Sequence, residues 1–329
     1  MPDPVLPPSR LRYDVNLSIL FTELPLLQRP AAAAAAGFDA VELWWPFPEP
    51  VPADRELDAL RTALTDAGVR LVGLNFDAGD MAAGDRGLLS RPSESARFRA
   101  NVDVAVGFAA SLGCTVLNAL YGNRDPDVTV PVQRELATEN LVFAAAAAER
   151  AGATVVIEAL NSYESPRYPI TSSQKALDLI DYLKVVHGVP NVAFLADLYH
   201  LARMGEPVER LVELRSDRFG HVQIADPPGR GQPGTGELDW DTVLGRLAAS
   251  GYTGHVGLEY KPVGPSAASF DWLPHQLRST HPAGSASSAG LPSPSRSATV
   301  EETRDRACEV AIRHSTSWHV ADERSEEAS

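Results

Sequence analysis

Residues 154–159 read TVVIEA, a short β-branched apolar run closed by a carboxylate, with no alternation of polar and apolar positions. A strand without a polar face is buried on both sides, as in a parallel sheet covered by helices. The same reading recurs downstream at Val192–Ala196, His221–Ala225 and His255–Glu259, and upstream at Asp14–Leu20, Ala40–Leu43, Val69–Asn75 and Thr115–Leu120. Helical stretches fill most of the gaps: about Leu26–Ala36 closed by Gly37, Asp54–Ala67 capped by Asp54 and ended by Gly68, and Ser93–Leu112 stopped by Gly113. Further helices cover roughly Val132–Ala151, Thr171–His187 and Asp239–Ser250, while Phe76–Pro92 is a long glycine-bearing loop. Eight strands spaced roughly 30 residues apart are the arithmetic of an α/β (β/α)8 TIM barrel. A doubly wound sheet is the competing architecture, but no GxGxxG follows the first strand.

The barrel accounts for residues 12–273. From 274 to 329 the chain is Ser/Pro/Ala-rich and then charged, with too few bulky apolar residues to offset the entropy of ordering. It is expected to be a disordered tail, with one short helix at Glu302–Ile312. The 329 residues are 44% hydrophobic and 22% charged, ordinary for a globular core, and the formal charge is −14. That balance disfavours nucleic acid, which requires clustered Lys and Arg. Pro30–Gly37, the longest apolar stretch, is far too short to span a bilayer. Met1–Arg10 is proline-rich without an apolar core, so it does not read as a signal peptide. Cys114 and Cys308 form no CxxC pair and suit a reducing compartment. A cytoplasmic protein is expected, with neither nucleic acid nor membrane as partner and a homo-oligomer left open.

Functional side chains of such a barrel sit at the carboxyl ends of its strands. There the late strands carry Glu158, Asp197, Gln223 with Asp226 just beyond, and Glu259. Four oxygen-bearing side chains from consecutive strands converge on one point, and three crowded carboxylates repel unless a cation lies between them. All-oxygen ligation without cysteine suits Mg2+ or Mn2+. The bland alternative is that each carboxylate caps a helix or pairs with an arginine. His221 alternates with Gln223 and so points into the barrel, to orient substrate or brace the ligands. Asn75 ends the third strand. Glu42 ends the second, before Trp44 and Trp45, where it lines the pocket or braces an arginine. The glycine-rich GQPGTGE (231–237) lacks a Walker lysine and reads as a mobile loop. The alanine runs at 31–36 and 144–148 read as close-packed helix faces.

The stretches NLSILF (16–21), GFDAVELWWPF (37–47), LNFDAGDMAAGDRG (74–87), IEALN (157–161), DLYHLARM (197–204), GHVQIADPPGRGQPGTGELDW (220–240) and GLEYKP (257–262) resemble the hydroxypyruvate isomerase family. That family belongs to the xylose-isomerase-like barrels, with the ketose 3-epimerases and endonuclease-IV-type enzymes. The resemblance implies a divalent metal held by Glu158, Asp197, Gln223 and Glu259, with Glu158 and Glu259 as the catalytic pair that moves protons on either side of a hydroxy-carbonyl substrate. It also implies that His200, three residues after Asp197, contacts substrate, and that Gln223 stands where the epimerases have histidine. An aldose–ketose shift through an enediolate needs a carboxylate near the acidic carbon and a cation for the developing oxyanion, which these residue types supply.

The expected activity is the interconversion of hydroxypyruvate and 2-hydroxy-3-oxopropanoate (tartronate semialdehyde). Candidates for its carboxylate are Arg86, Arg230 and Lys261, the two arginines being flanked by glycines. Rival readings are an isomerase or epimerase of another small sugar or sugar acid such as a 2-oxo-tetronate, an endonuclease-IV-like phosphodiesterase, and a barrel without catalysis. Net charge and too few histidines at the strand ends weigh against the nuclease.

Overall fold

A computed structural model describes residues 11–279. The Met1–Arg10 segment, Cys308 and nearly all of the expected tail, including Glu302–Ile312, lie outside the described residues. Eight parallel strands close into a barrel in sequence order: β1 (Arg12–Asn16), β2 (Ala40–Leu43), β3 (Arg70–Asn75), β4 (Val116–Asn118), β5 (Thr154–Glu158), β6 (Val192–Asp197), β7 (Phe219–Ile224) and β8 (His255–Leu258). Closure is made by β1 against β8, with Asp14 opposite Gly257 and Val15 opposite Leu258. The doubly wound alternative is thereby excluded.

The helices are α1 (Arg29–Ala35), α2 (Asp54–Ala67), α3 (Ser95–Ser111), α4 (Val130–Arg150), α5 (Ser173–Val186), α6 (Leu198–Arg203), α7 (Val208–Arg215) and α8 (Trp240–Ala249). Their limits follow local chemistry. The Glu56 carboxylate accepts from the Ala53 amide at 3.0 Å at the start of α2, and left-handed Gly68 ends that helix. Ser172 caps α5 by accepting from the Lys175 amide. The alanines of α4 at 144, 145, 147 and 148 are buried, as close packing against the strands and α3 requires.

Two expected features differ. The first strand ends at Asn16 rather than Leu20, because the Asn16 side-chain oxygen accepts from the Ser18 amide at 2.9 Å and turns the chain. Helices α6 and α7, which the periodicity did not reveal, fill 198–215. Asp197 ends β6 and caps α6 in one residue, with Oδ1 accepting from the amides of Tyr199 (2.8 Å) and His200 (3.2 Å). After β8, short 3-10 turns at Ser266–Phe270 and His275–Leu277 stand where a helix would repeat. The packed chain also continues past 273. Arg278 donates to the carbonyls of Ala36, Phe270 and Leu273 and lies over the rings of Phe38 and Phe270. Among the described residues no helix is long and apolar enough to cross a membrane.

Candidate active site

A cleft of about 1220 Å3 opens at the carboxyl ends of the strands and is lined by Glu158, His200, Arg230 and Glu259, together with Asn75, Arg86 and Lys261. Asp197 and Gln223 lie beside these in the strand ladder, paired with each other across β6 and β7, with Gln223 next opposite Gly257 of β8. All four expected ligands are buried.

Glu158 and Glu259 are each held by a donor from another strand. Asn118 Nδ2 donates to Glu158 Oε2 at 2.8 Å. Glu259 Oε1 accepts from Asn16 Nδ2 at 3.0 Å and Trp44 Nε1 at 2.7 Å, and its Oε2 accepts from Arg230 Nη2 at 2.5 Å. Asp197 spends Oδ1 on the α6 cap, while Oδ2 faces the site, 3.6 Å from His200 Nε2 and 3.9 Å from Arg230. The capping alternative for Asp197 is therefore true of one of its oxygens only.

Burial pushes the carboxyls of Glu158, Asp197 and Glu259 up; the Glu259 charge adds to it at Glu158 and Asp197, whereas at Glu259 the Arg230 charge opposes it and Glu42 adds to it. Three such groups crowded together do not all ionise unless positive charge lies among them, and Arg230 supplies one such charge at Glu259. Glu158, Asp197 and His200 can each bring one ligand atom to within 4.8 Å of the others, a grouping that could hold a metal ion but that takes in His200 and leaves out Glu259 of the expected set. A further observation supports the fit. Gln223 Nε2 donates to Glu42 at 2.8 Å, and its Oε1, fully buried, has no hydrogen-bond partner among the described residues. Orphaned buried acceptors are rare because they forfeit hydration without return.

His200 offers a different chemistry. The Asn161 backbone amide donates to Nδ1 at 3.2 Å, and burial, aided by Arg230 and Arg86, drives the ring's pKa well down. A neutral imidazole that accepts at Nδ1 carries its proton on Nε2, the nitrogen that faces Glu158 and Asp197. It is a donor poised for a substrate oxygen.

His221 points into the barrel but does not line this cleft. It lies deeper, with Nε2 2.7 Å from Glu42 Oε2 and 3.9 Å from Asp14. Burial pushes the imidazole down, but the Glu42 charge and hydrogen bond outweigh it and hold the pKa at about 9. Glu42 thus braces a histidine rather than an arginine, and lies below the pocket wall. Asp14 is buried with neither oxygen hydrogen-bonded among the described residues, and burial first, then the Glu42 charge, push its carboxyl well above the usual carboxylate range.

The two candidate arginines differ. Arg230 sits in left-handed backbone at φ 58°, a strained conformation that functional sites tolerate. Its loop is built on Asp226, whose carboxylate accepts from the amides of Gly234, Gly236 and Leu238, and Lys261 N donates to Arg230 O at 2.7 Å. The glycine-rich loop is thus ordered around its own carboxylate. Arg86 donates to Ser165 Oγ and to the carbonyls of Met81 and Asp85, and makes no ion pair among the described residues. Lys261 is exposed at the rim.

Residues that sequence reasoning did not single out also meet here. Glu164 lines the cleft, accepting from Tyr199 Oη and Asn161 Nδ2 at 3.0 Å each. Burial pushes its carboxyl up, but those bonds and the charges of Arg230 and Lys261 outweigh it and bring it below the usual range. Its position six residues past Glu158 was the available signal. Asn16 and Asn118 lay inside what read as continuing strands; they end β1 and β4, and their role is to hold carboxylates.

The sequence model of the xylose isomerase-like TIM barrel family matches residues 30–276. A Streptomyces coelicolor protein named "Putative hydroxypyruvate isomerase" is 59% identical over 270 residues, covering 81% of this chain and 97% of that one. Hydroxypyruvate isomerase of Escherichia coli is 34% identical (80% and 98% covered), and 2-oxo-tetronate isomerase of Haemophilus influenzae is 30% identical (80% and 98%). Among solved structures, one described as AP endonuclease, family 2, from Brucella melitensis aligns with a TM-score of 0.72 at 35% identity, covering 80% of this chain and 97% of that one. A closed eight-stranded barrel, an acid-rich mouth and these similarities converge: the chain is an isomerase that belongs to the xylose isomerase-like TIM barrel family.

Proposed function

We propose that the chain interconverts hydroxypyruvate and tartronate semialdehyde with Mg2+ or Mn2+ held by Glu158, Asp197, Gln223 and Glu259. The observation that carries this reading is the orphaned, buried Oε1 of Gln223 beside three buried carboxylates whose proton affinities are all raised. An ion held by these residues would supply polarisation of the substrate carbonyl, which acidifies the neighbouring C–H. Glu158 and Glu259 then do the proton chemistry. Glu259 takes a proton from C3 of hydroxypyruvate and Glu158 returns one to C2, while the hydroxyl proton passes from O3 to O2. His200 Nε2–H donates to a substrate oxygen where negative charge develops. Arg86, whose charge no carboxylate among the described residues neutralises, fits the substrate carboxylate, with Lys261 at the rim. Arg230 serves Glu259 instead.

A small acid is favoured over nucleic acid, in spite of the nuclease description of one structural relative. The formal charge is −14, and the candidate ion-binding groups of the described residues contain one histidine each. A buried Cys114 accords with a reducing cytoplasm. The test is an NMR assay of metal-stripped protein with Mg2+ or Mn2+ added back, offered hydroxypyruvate and a 2-oxo-tetronate separately. The reading expects metal-dependent turnover with hydroxypyruvate preferred. Preference for the tetronate would shift the substrate within the family, and turnover without metal would remove the ion from the reaction.

A further inference from the structure

Glu42 is buried one layer below the cleft and does not line it, yet three side-chain donors from three other positions converge on its carboxylate. Asn16 Nδ2 (3.0 Å) and Gln223 Nε2 (2.8 Å) donate to Oε1, and His221 Nε2 lies 2.7 Å from Oε2. The barrel makes room for it. A Cβ on Gly257 would stand 2.7 Å from Glu42 Oε1, and one on Gly73 would stand 3.2 Å from Oε2. Two inward positions are thus left without side chains where this carboxylate reaches the axis.

The two ends of a glutamine amide are nearly the same shape, so packing alone does not choose which one faces a ligand. A carboxylate that only accepts does choose. By binding Nε2 it turns Oε1 of Gln223 away from itself, and that oxygen is left without a hydrogen-bond partner among the described residues. The same Glu42 oxygen takes one proton of the Asn16 amide, whose Nδ2 also donates to Glu259 Oε1 at 3.0 Å. The Asn16 Oδ1 is fixed in turn by the Ser18 amide.

We propose that Glu42 is a positioning residue that sets the amide of Gln223 with its oxygen toward the ion and, through Asn16, aligns Glu259. This rests on Gln223 being a ligand, as proposed above. It also explains why an amide rather than a third glutamate ends β7. A carboxylate there would set oxygen against oxygen at Glu42.

The test is Mn2+ titration of metal-stripped full-length protein, without substrate, followed by calorimetry and by the EPR signal of free Mn2+. Added negative charge alone would make Gln223→Glu bind Mn2+ more tightly. The proposal expects it to bind about tenfold more weakly than wild type, the scale of a lost supporting contact. Glu42→Gln combined with Gln223→Glu is expected to regain that loss, since the amide introduced by the first substitution then supplies the missing donor. Glu42→Leu should weaken binding, with Glu42→Gln alone closer to wild type because its amide oxygen can still accept. If Glu42→Leu does not fold, the Gln223→Glu pair of variants still decides. Tighter binding by Gln223→Glu, with no further change in the double variant, would overturn the proposal. Wild-type protein that bound no Mn2+ would overturn the ligand reading itself.

Discussion

The two halves of the barrel end their strands in different chemistry. Strands β1, β3 and β4 finish in the amides Asn16, Asn75 and Asn118, whereas β5, β6 and the residue after β8 present the acids Glu158, Asp197 and Glu259. Each half has one exception, the acid Glu42 on β2 and the amide Gln223 on β7, and these two bond each other. The bonds run across the halves: Asn118 holds Glu158, and Asn16 holds Glu259. In the proposed reading the acids of one side hold the ion and move protons, and the amides of the other side are neutral donors to them. The donors fix geometry without cancelling the charge that an ion requires.

The largest expected effect comes from an acid. Glu259→Gln keeps shape but removes the basic oxygen and breaks the Arg230 pair, so kcat should fall roughly 10^3-fold while the protein still folds, with a lower melting temperature. Near wild-type kcat would end the two-glutamate account. Next are the arginines. Arg86→Ala should lower kcat/KM for hydroxypyruvate by roughly 1.5–3 kcal/mol and spare an uncharged ketose. Arg230→Ala, which strips a donor from Glu259, should harm both substrates alike. The reverse pattern would exchange their roles.

From the amide half, Asn118→Leu should weaken Mn2+ binding about tenfold by freeing Glu158. An unchanged affinity would show that the amides pack without positioning. The smallest effect concerns the layer beneath. His221 is held at about 9, above its ordinary value of roughly 6.5. Its stabilising contribution is thus complete below the ordinary value and is lost as pH rises through 9. Between about pH 7 and 8 that amounts to about 1 kcal/mol, a melting-temperature drop of roughly 2–4 °C. The buried acids of the mouth push in the same direction, so the comparison is with His221→Gln, which should lose less over that interval.

The acids were legible in the sequence because each closes an apolar run, where a charge is conspicuous. The closed barrel was legible for the same reason, through strands such as TVVIE that lack a polar face. The amide half was not. Asn16 sat inside what read as a continuing strand, and only the turn made by its own side chain reveals it as a strand end. Helices α6 and α7 were hidden because Asp197 serves two functions, one oxygen capping and the other facing the site. Glu42 was visible as a strand-ending acid, but its partner was not. His221 lies five strands further along the chain, and only closure brings them together.

Deuterium exchange at the substrate tests the central claim most directly. Hydroxypyruvate is incubated in D2O with metal-stripped protein, then with Mn2+ or Mg2+ restored, and the C3 protons are followed by NMR for wild type and Glu259→Gln. The account predicts loss of the C3 proton signal by wild type only when the ion is present, and little or none by Glu259→Gln. Equal exchange with and without the ion, or undiminished exchange by Glu259→Gln, would contradict it.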